Sequence, residues 1–386
     1  MKRKICIITG SRSEYGILKP LIREIVEDPD LTLQIIATAM HLSSEFGLTY
    51  QEIENDGFEI NEKIETLLSS DTPVGISKSM GLTIIGFAES YIRLEPDIVI
   101  GLGDRFELMS AVTAAHIAGI PVAHIGGGEV TEGAIDDAFR HSITKMSQFH
   151  FTSVEEYRKR VIQLGENPRR VFCVGELALD RIEGMPLMSK EEIGDRLGIQ
   201  FSRRNILVTY HPVTIGNDVS AEQFRFLLDV LAEHNETNII FTKANADTYG
   251  RIINKMIDEY VARHDANSYS FDSLGSLCYL SLLQYVDAVV GNSSSGIVEA
   301  PSFRIGTINI GDRQKGRIRS ESVIDCKPTN KQISLAFEKL YSDNFQKELK
   351  RVENVYSMKD KSAAKIKDVL KGIDLTSVKK SFYDIN

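Results

Sequence analysis

Short β-rich runs alternate with amphipathic stretches along the whole chain, and this alternation constrains the fold more than any other feature. Candidate strands are residues 4–9, 31–39, 97–102, 121–125, 149–152 and 171–174, followed by 205–210, 238–242, 269–272, 288–291 and 305–310. Helical patterns separate them, as at 75–94, 134–147, 221–234 and 248–263. Strands joined through helices imply parallel sheets with both faces covered. At 386 residues the chain is too long for one ordinary core, so two α/β domains are expected. The charged stretch 180–202, which holds Pro186, lies between two βα series and marks the boundary. This gives an N-terminal domain over 1–182 and a C-terminal domain over 183–358. From 359 a helical pattern with no strand after it is expected to pack back on the first domain.

In open parallel sheets ligands bind beyond the carboxyl ends of the strands, so the residues that follow each strand carry the functional argument. The loop Asn292-Ser293-Ser294-Ser295-Gly296 follows a buried strand and opens a helix. Small side chains let backbone N–H groups approach an anion, and a helix dipole would favour a phosphate there. Glu299, a turn further on, is placed to accept hydrogen bonds from ribose hydroxyls. A lone SSSG is equally an ordinary βα turn with a serine cap, so its neighbours decide. After the first strand, Arg12 leaves a tight turn; it reads equally as a phosphate clamp or as a surface arginine capping the turn. Two adjacent strand ends deliver Asp104-Arg105 and Glu129. Asp136 and Asp137 open the next helix, with Arg140 and His141 one turn on. Asp137 reads best as a dipole partner, but acidic groups converging beside arginines on one sheet edge form an acid/base arrangement. In the second half, His211 stands at a strand end before Pro212, Asn245 follows another strand, and Arg313 follows a third. Lys315, Arg317 and Arg319 read as a solvated or mobile basic loop.

The net charge of −9 argues against a general nucleic-acid binder or a membrane-surface protein and points to a small-molecule partner. Cys6, Cys173, Cys278 and Cys326 have no metal-ligand or C-x-x-C spacing; they read as reduced cysteines, and a cytoplasmic location is expected. No G-x-G-x-x-G, P-loop or metal-ligand set is present, so no cofactor and no metal are expected. No segment is long enough to span a bilayer.

The motifs GSRSEYG, GLGDR, HIGGGE with DDAFRHSITKMS, YHPVT, GNSSSG with Glu299, and INIGDRQKGR carry a resemblance that spans roughly the whole chain. In this order and spacing they resemble the hydrolysing UDP-N-acetylglucosamine 2-epimerases of bacterial sialic-acid synthesis. The resemblance implies a glycosyltransferase-B-like α/β fold: two Rossmann-like domains facing a cleft, UDP held mainly by the second, and a C-terminal helix crossing back to the first. It implies conversion of UDP-N-acetylglucosamine and water to N-acetylmannosamine and UDP, in a homo-oligomer (dimer or tetramer). Residue by residue it makes Asp104, Asp136, Arg140 and His211 the reacting centre, to which the strand-end reading adds Glu129 as a candidate acid or base. It makes Arg12, Arg105, His211, Asn245, Ser293, Ser294, Glu299 and Arg313 the nucleotide contacts, and Leu274 and Tyr279 are further candidate UDP-sugar contacts. The chain departs from the wider family at Gly126, where relatives often carry Glu, and at Ile17, where they often carry Lys.

The chemistry expected from this resemblance is an elimination. The C2 proton of the sugar is not acidic, so its removal by a carboxylate must accompany departure of UDP; the resulting 2-acetamidoglucal then takes water at C1 and a proton on the opposite face of C2. UDP-N-acetylglucosamine is the favoured substrate, with UDP-2,4-diacetamido-2,4,6-trideoxyglucose as its competitor and a UDP-sugar glycosyltransferase as the alternative activity.

Overall fold

The computed structural model describes residues 2–68, 72–131, 135–182, 185–212, 219–243, 250–375 and 379–385. They form two compact units: one of Met1–Glu129, Asp136–Arg181 and Met358–Asn386, the other of Val130–Ile135 and Ile182–Ser357.

The first unit holds seven strands: β1 (Arg3–Thr9), β2 (Leu31–Thr38), β3 (Glu62–Ile64), β4 (Ile98–Leu102), β5 (Val122–Ile125), β6 (Phe149–Thr152) and β7 (Val171–Cys173). They lie in the order β3-β2-β1-β4-β5-β6-β7, every pair parallel. Alternate residues of the same strands feed separate cores. Ile5, Ile7, Ile35, Ile98 and Ile100 join one apolar cluster, while Cys6, Ile8, Ile36 and Val99 join another. This is the signature of a sheet covered on both faces, and it is why these strands are nearly continuous apolar runs.

The second unit repeats the plan with β8 (Arg204–Thr209), β9 (Thr237–Thr242), β10 (Ser268–Phe271), β11 (Ala288–Gly291), β12 (Gly306–Ile310) and β13 (Val323–Cys326). Their order is β10-β9-β8-β11-β12-β13, again all parallel. Ile206, Val208, Val290 and Ile308 face one cluster; Leu207, Ile240 and Val289 face the other.

In each sheet the strand order reverses at one place, between β1 and β4 and between β8 and β11. The connections leave such a point in opposite directions, which opens a crevice at the strand carboxyl ends. Gly291 shows how close the backbones come at the second reversal. Its φ is +135°, and a Cβ there would stand 2.0 Å from the Thr209 carbonyl oxygen. Only glycine fits.

The C-terminal helix Ser362–Gly372 packs in the first unit, as expected. Ala363, Ile366 and Leu370, one stripe of the helix, are buried in the same cluster as Ile5 and Ile7. Its ends are fastened by distant residues. The Asp180 carboxylate accepts from the Ser362 and Ala363 amides at 3.0 and 2.6 Å, and Arg3 donates to the carbonyls of Leu370, Lys371 and Ile373. Among the described residues, no helix is long and apolar enough to cross a membrane.

Candidate active site

At the reversal point of the first sheet, β1 runs into Gly10-Ser11 and the helix Arg12–Glu27, and β4 runs into Gly103-Asp104-Arg105 and the helix Phe106–Ile117. Ser11 caps the first helix by accepting from the Glu14 amide, and the Glu14 carboxylate turns back to accept from the Gly10 amide at 2.8 Å. Glu107 reaches the same spot from the other strand end. It is 1 % exposed, its Oε1 accepts from Arg105 Nε at 2.6 Å, and its Oε2 is buried without a hydrogen-bond partner among the described residues. Gly10 makes room for it, since a Cβ there would lie 2.8 Å from Glu107 Oε1. Burial, and then the charge of Glu107, push the Glu14 carboxyl up to about 7 against the pull of Arg105 and the Gly10 amide.

One strand over, Arg140 from the helix Asp136–Met146 is buried and reaches back to pair with Asp104; it also donates to Asp137 Oδ1 at 3.3 Å. His141 lies 3.6 Å from the other Asp137 oxygen. Asp137, expected to be only a dipole partner, therefore also holds the arginine. Asp136 is half-buried at the first residue of that helix, and Glu129 is buried after the turn of Gly126 and Gly128, both at positive φ. Beneath them, buried His124 bridges two elements: Nε2 faces the Gly103 carbonyl at 2.7 Å and Nδ1 faces Thr144 Oγ1 at 3.0 Å. A carbonyl only accepts, so Nε2 carries the proton. Burial drives the ring's pKa down to about 3, so it is neutral and Nδ1 accepts from the threonine hydroxyl. Arg12 lies in a half-exposed ion pair with Glu52 at 2.7 Å.

The second reversal point is organised by an amide. Asn292 Oδ1 accepts from the His211 amide at 2.7 Å and its Nδ2 donates to the His211 carbonyl at 2.8 Å, so one side chain ties the ends of β8 and β11 together. The Asn292 carbonyl in turn accepts from Arg313 Nη1 at 3.1 Å and Gln314 Nε2 at 2.9 Å. His211, Arg313 and the serine loop are thus brought together through one residue. Tyr279, from the helix Gly275–Leu282, donates to Ser295 Oγ at 2.7 Å, and Leu274 is buried just before that helix. Glu299 is buried one turn beyond the serines. The helix expected after the loop is a single turn, Ser295–Val298, followed by a 3-10 turn, Ala300–Phe303. Pro301 has no N–H to continue it. A single turn carries little macrodipole, so an anion here would rely on the loop amides and hydroxyls and on Arg313. The basic loop is also less free than expected: Lys315 is exposed, but Arg319 pairs with Asp325 at 3.2 Å and donates to the Gln314 carbonyl. Asn245 lies outside the described residues.

Sequence reasoning missed Glu14 and Glu107, and it read Asn292 only as part of the serine loop, not as the link to His211. The first two had a signal: Arg12-Ser13-Glu14 and Arg105-Phe106-Glu107 place the same Arg-x-Glu triplet after two adjacent strands.

Two parallel-sheet units with polar groups gathered at their reversal points define a two-domain α/β enzyme of the glycosyltransferase-B-like class. The sequence model of the family described as UDP-N-acetylglucosamine 2-epimerase matches residues 23–371. The chain is 44 % identical over 385 residues to the GDP/UDP-N,N'-diacetylbacillosamine 2-epimerase (hydrolyzing) of Campylobacter jejuni, covering 100 % of both chains. It is 36 % identical to polysialic acid biosynthesis protein P7 of Escherichia coli, covering 99 % of this chain and 98 % of that one. The crystal structure of UDP-GlcNAc 2-epimerase from Neisseria meningitidis bound to UDP-GlcNAc shares the fold at a TM-score of 0.82 and 17 % identity, covering 96 % of this chain and 100 % of that one. The chain belongs to the UDP-N-acetylglucosamine 2-epimerase family and is an enzyme of its hydrolysing type.

Proposed function

We propose that this enzyme takes a UDP-2-acetamido sugar and water to UDP and the free 2-epimer, and that its preferred sugar is UDP-2,4-diacetamido-2,4,6-trideoxyglucose. The observation that carries the choice of sugar is the full-length 44 % identity to a hydrolysing diacetylbacillosamine 2-epimerase. It moves the preference away from UDP-N-acetylglucosamine, which the sequence motifs favoured. Gly126 supports the move. Its φ of +88° suits glycine, and a Cβ there would meet nothing nearer than 3.8 Å, so this turn is bare backbone with room for a larger 4-substituent. UDP-N-acetylglucosamine is the second reading, favoured by the 36 % identity to a polysialic acid biosynthesis protein.

In this reading the ends of β8, β11 and β12 hold the nucleotide. Arg313, Ser293 and Ser294 stabilise charge growing on the departing phosphate, Glu299 takes the ribose hydroxyls, and Leu274, Tyr279 and His211 complete the contacts. The ends of β4 and β5 act on the sugar. A carboxylate among Asp104, Glu129 and Asp136 removes the C2 proton while the C1–oxygen bond to UDP breaks, which gives the 2-acetamidoglucal. Water adds at C1, and a second acid returns a proton to the opposite face of C2. Arg105 and Arg12 are assigned to the substrate, and Arg140 pairs with Asp104 and fixes its position.

Incubation of the enzyme with each UDP-sugar, with no acceptor and no added metal, tests the reading. Free UDP should appear with both sugars, faster with the diacetamido sugar, and product formed in heavy water should carry deuterium at C2. Label from water oxygen should enter the sugar. Release of UDP only when an acceptor sugar is supplied would instead make the enzyme a glycosyltransferase.

A further inference from the structure

The segment Lys379–Ile385 lies beyond the residues that the family model matches, which end at 371, yet it is fastened to the helix that carries Asp136 and Arg140. Lys380 reaches the far end of that helix. Its ammonium donates to the carbonyls of Thr144, Lys145 and Ser147 at 3.2, 2.7 and 2.6 Å and pairs with Glu166 at 2.7 Å. Thr144 and Lys145 lie in the helix's last turn and Ser147 just past it, where carbonyls run short of intrahelical donors, and a cation there also offsets the negative end of the dipole. Glu166 is 2 % exposed and is shared with Lys145 at 2.6 Å and His150 at 3.1 Å. The rest of the segment is held on the same side. The Tyr383 amide donates to the Gly165 carbonyl at 2.9 Å, and Arg170 donates to the Lys379 carbonyl at 3.3 Å. Phe382 lies against Gly165, where a Cβ would come within 2.3 Å of the ring, and Lys145 Nζ lies 5.0 Å from the ring centroid.

From this anchor a chain of contacts leads to the reacting centre. Thr144, whose carbonyl accepts from Lys380, gives its hydroxyl hydrogen to His124 Nδ1. His124 Nε2 donates to the carbonyl of Gly103, the residue before Asp104. Arg140, one turn before Thr144 on the same helix, pairs with Asp104 directly. Thus one helix sets both the arginine and, through His124, the backbone that bears the carboxylate.

We propose that Lys380 is a positioning residue: the C-terminal segment clamps the end of the helix Asp136–Met146 and thereby fixes Arg140 against Asp104 for the step at C2. The inference rests on the proposed function in placing that step at Asp104 and Arg140. It separates the terminal segment from UDP binding, because among the described residues none of its contacts involves a nucleotide-holding residue.

The test compares Lys380→Met, which keeps the length of the stem and removes the charge, with Lys380→Arg, which retains a cation. In Lys380→Met, kcat should fall by roughly 10-fold or more, as misaligned catalytic groups produce, while UDP affinity by calorimetry stays within about twofold. Hydrogen exchange of the amides over 136–147 should speed up. Lys380→Arg should recover most of the rate. Phe382→Ala, at a side chain 65 % exposed and outside the core, should lower kcat in the same direction by a smaller factor even if Lys380→Met folds poorly. Unchanged kcat in Lys380→Met, or a matching loss of UDP affinity, would overturn the proposal. A wild-type enzyme inactive on both sugars would break the functional reading instead; exchange over 136–147 that is unchanged in Lys380→Met would then overturn the clamp on its own.

Discussion

The two reversal points share a topology and differ in chemistry. At β1 and β4 the polar groups are ionisable: Glu14, Glu107 and Arg105 in one cluster, Asp104, Asp137 and Arg140 in the next. At β8 and β11 they are an amide, three serines, a tyrosine and the backbone of His211, with Arg313 resting on a carbonyl. Buried like charges and buried ion pairs shift proton affinities, whereas neutral donors fixed by an amide present hydrogen bonds without changing protonation. Under the proposed function, the same sheet design gives one edge to proton transfer at C2 and the other to the phosphate.

The largest effect should come from breaking the ionic edge. Arg140→Met leaves Asp104 and Asp137 without their buried cation, and kcat should fall by roughly two to three orders of magnitude, as loss of acid/base organisation does, with UDP affinity nearly unchanged. Rate assays beside UDP titration calorimetry measure both. Parallel losses in rate and UDP affinity would erase the division between the two edges.

A second effect is on stability. The Glu14 carboxyl is raised to about 7, so the folded protein holds its proton where the unfolded chain has lost it. That stabilisation is fully present below the ordinary glutamate pKa of 4.5 and is lost as pH rises through about 7. Relative to wild type, Glu14→Gln should therefore gain stability between these values and level off above, by about 3 kcal/mol in all. Denaturation midpoints of the two proteins across that range measure it, and a difference that does not vary with pH would mean that Glu14 titrates normally. The opposite sign holds for Glu166, lowered to about 2 mainly by His150, Lys145 and Lys380 against its burial: its contribution is present above 4.5 and is lost as pH falls toward 2.

How much of this was readable beforehand depends on how each residue is buried. Central strands were visible because both faces are covered, so their sequences are apolar throughout. The edge strands β3 and β13 were not, because Glu62–Ile64 and Val323–Cys326 are short and only partly buried and carry charges. Asp104, Glu129 and Arg140 stood out as charges at strand ends. Glu14 and Glu107 did not, since in sequence they resemble solvated helix-start acids; the burial of Glu107 and the partial burial of Glu14 follow from the bare Gly10 backbone between them, which only the packing of β1 beside β4 reveals. Asn292 was visible as part of a small-residue loop, but its pairing with His211 spans 81 residues and depends on β8 and β11 being neighbours.

At the neutral edge the expected effect is smaller and falls on affinity. Asn292→Ala removes both bonds to the His211 backbone and loosens the strand end whose carbonyl seats Arg313 and Gln314. Since a net hydrogen bond contributes about 1 kcal/mol, UDP affinity should weaken by roughly 10- to 30-fold. The rate at saturating substrate should hold. A fall in rate with unchanged affinity would show that this edge, too, acts on the sugar.

The smallest effect should sharpen the choice of substrate. Gly126 has open space around it: a Cβ would meet nothing nearer than the Gly103 amide nitrogen at 3.8 Å, so Gly126→Ala makes no clash. Its cost is conformational, because φ of +88° is strained for alanine, and stability should drop by about 1 kcal/mol. If this bare turn leaves room for the 4-acetamido group, the added methyl should lower kcat/KM for the diacetamido sugar several-fold more than for UDP-N-acetylglucosamine, whose 4-hydroxyl is smaller; a methylene-sized change discriminates by roughly 10-fold at least when it meets substrate directly. Side-by-side kinetics of Gly126→Ala on the two sugars measure the ratio. Equal losses would place the turn away from C4, and the preference for the diacetamido sugar would then rest on sequence similarity alone.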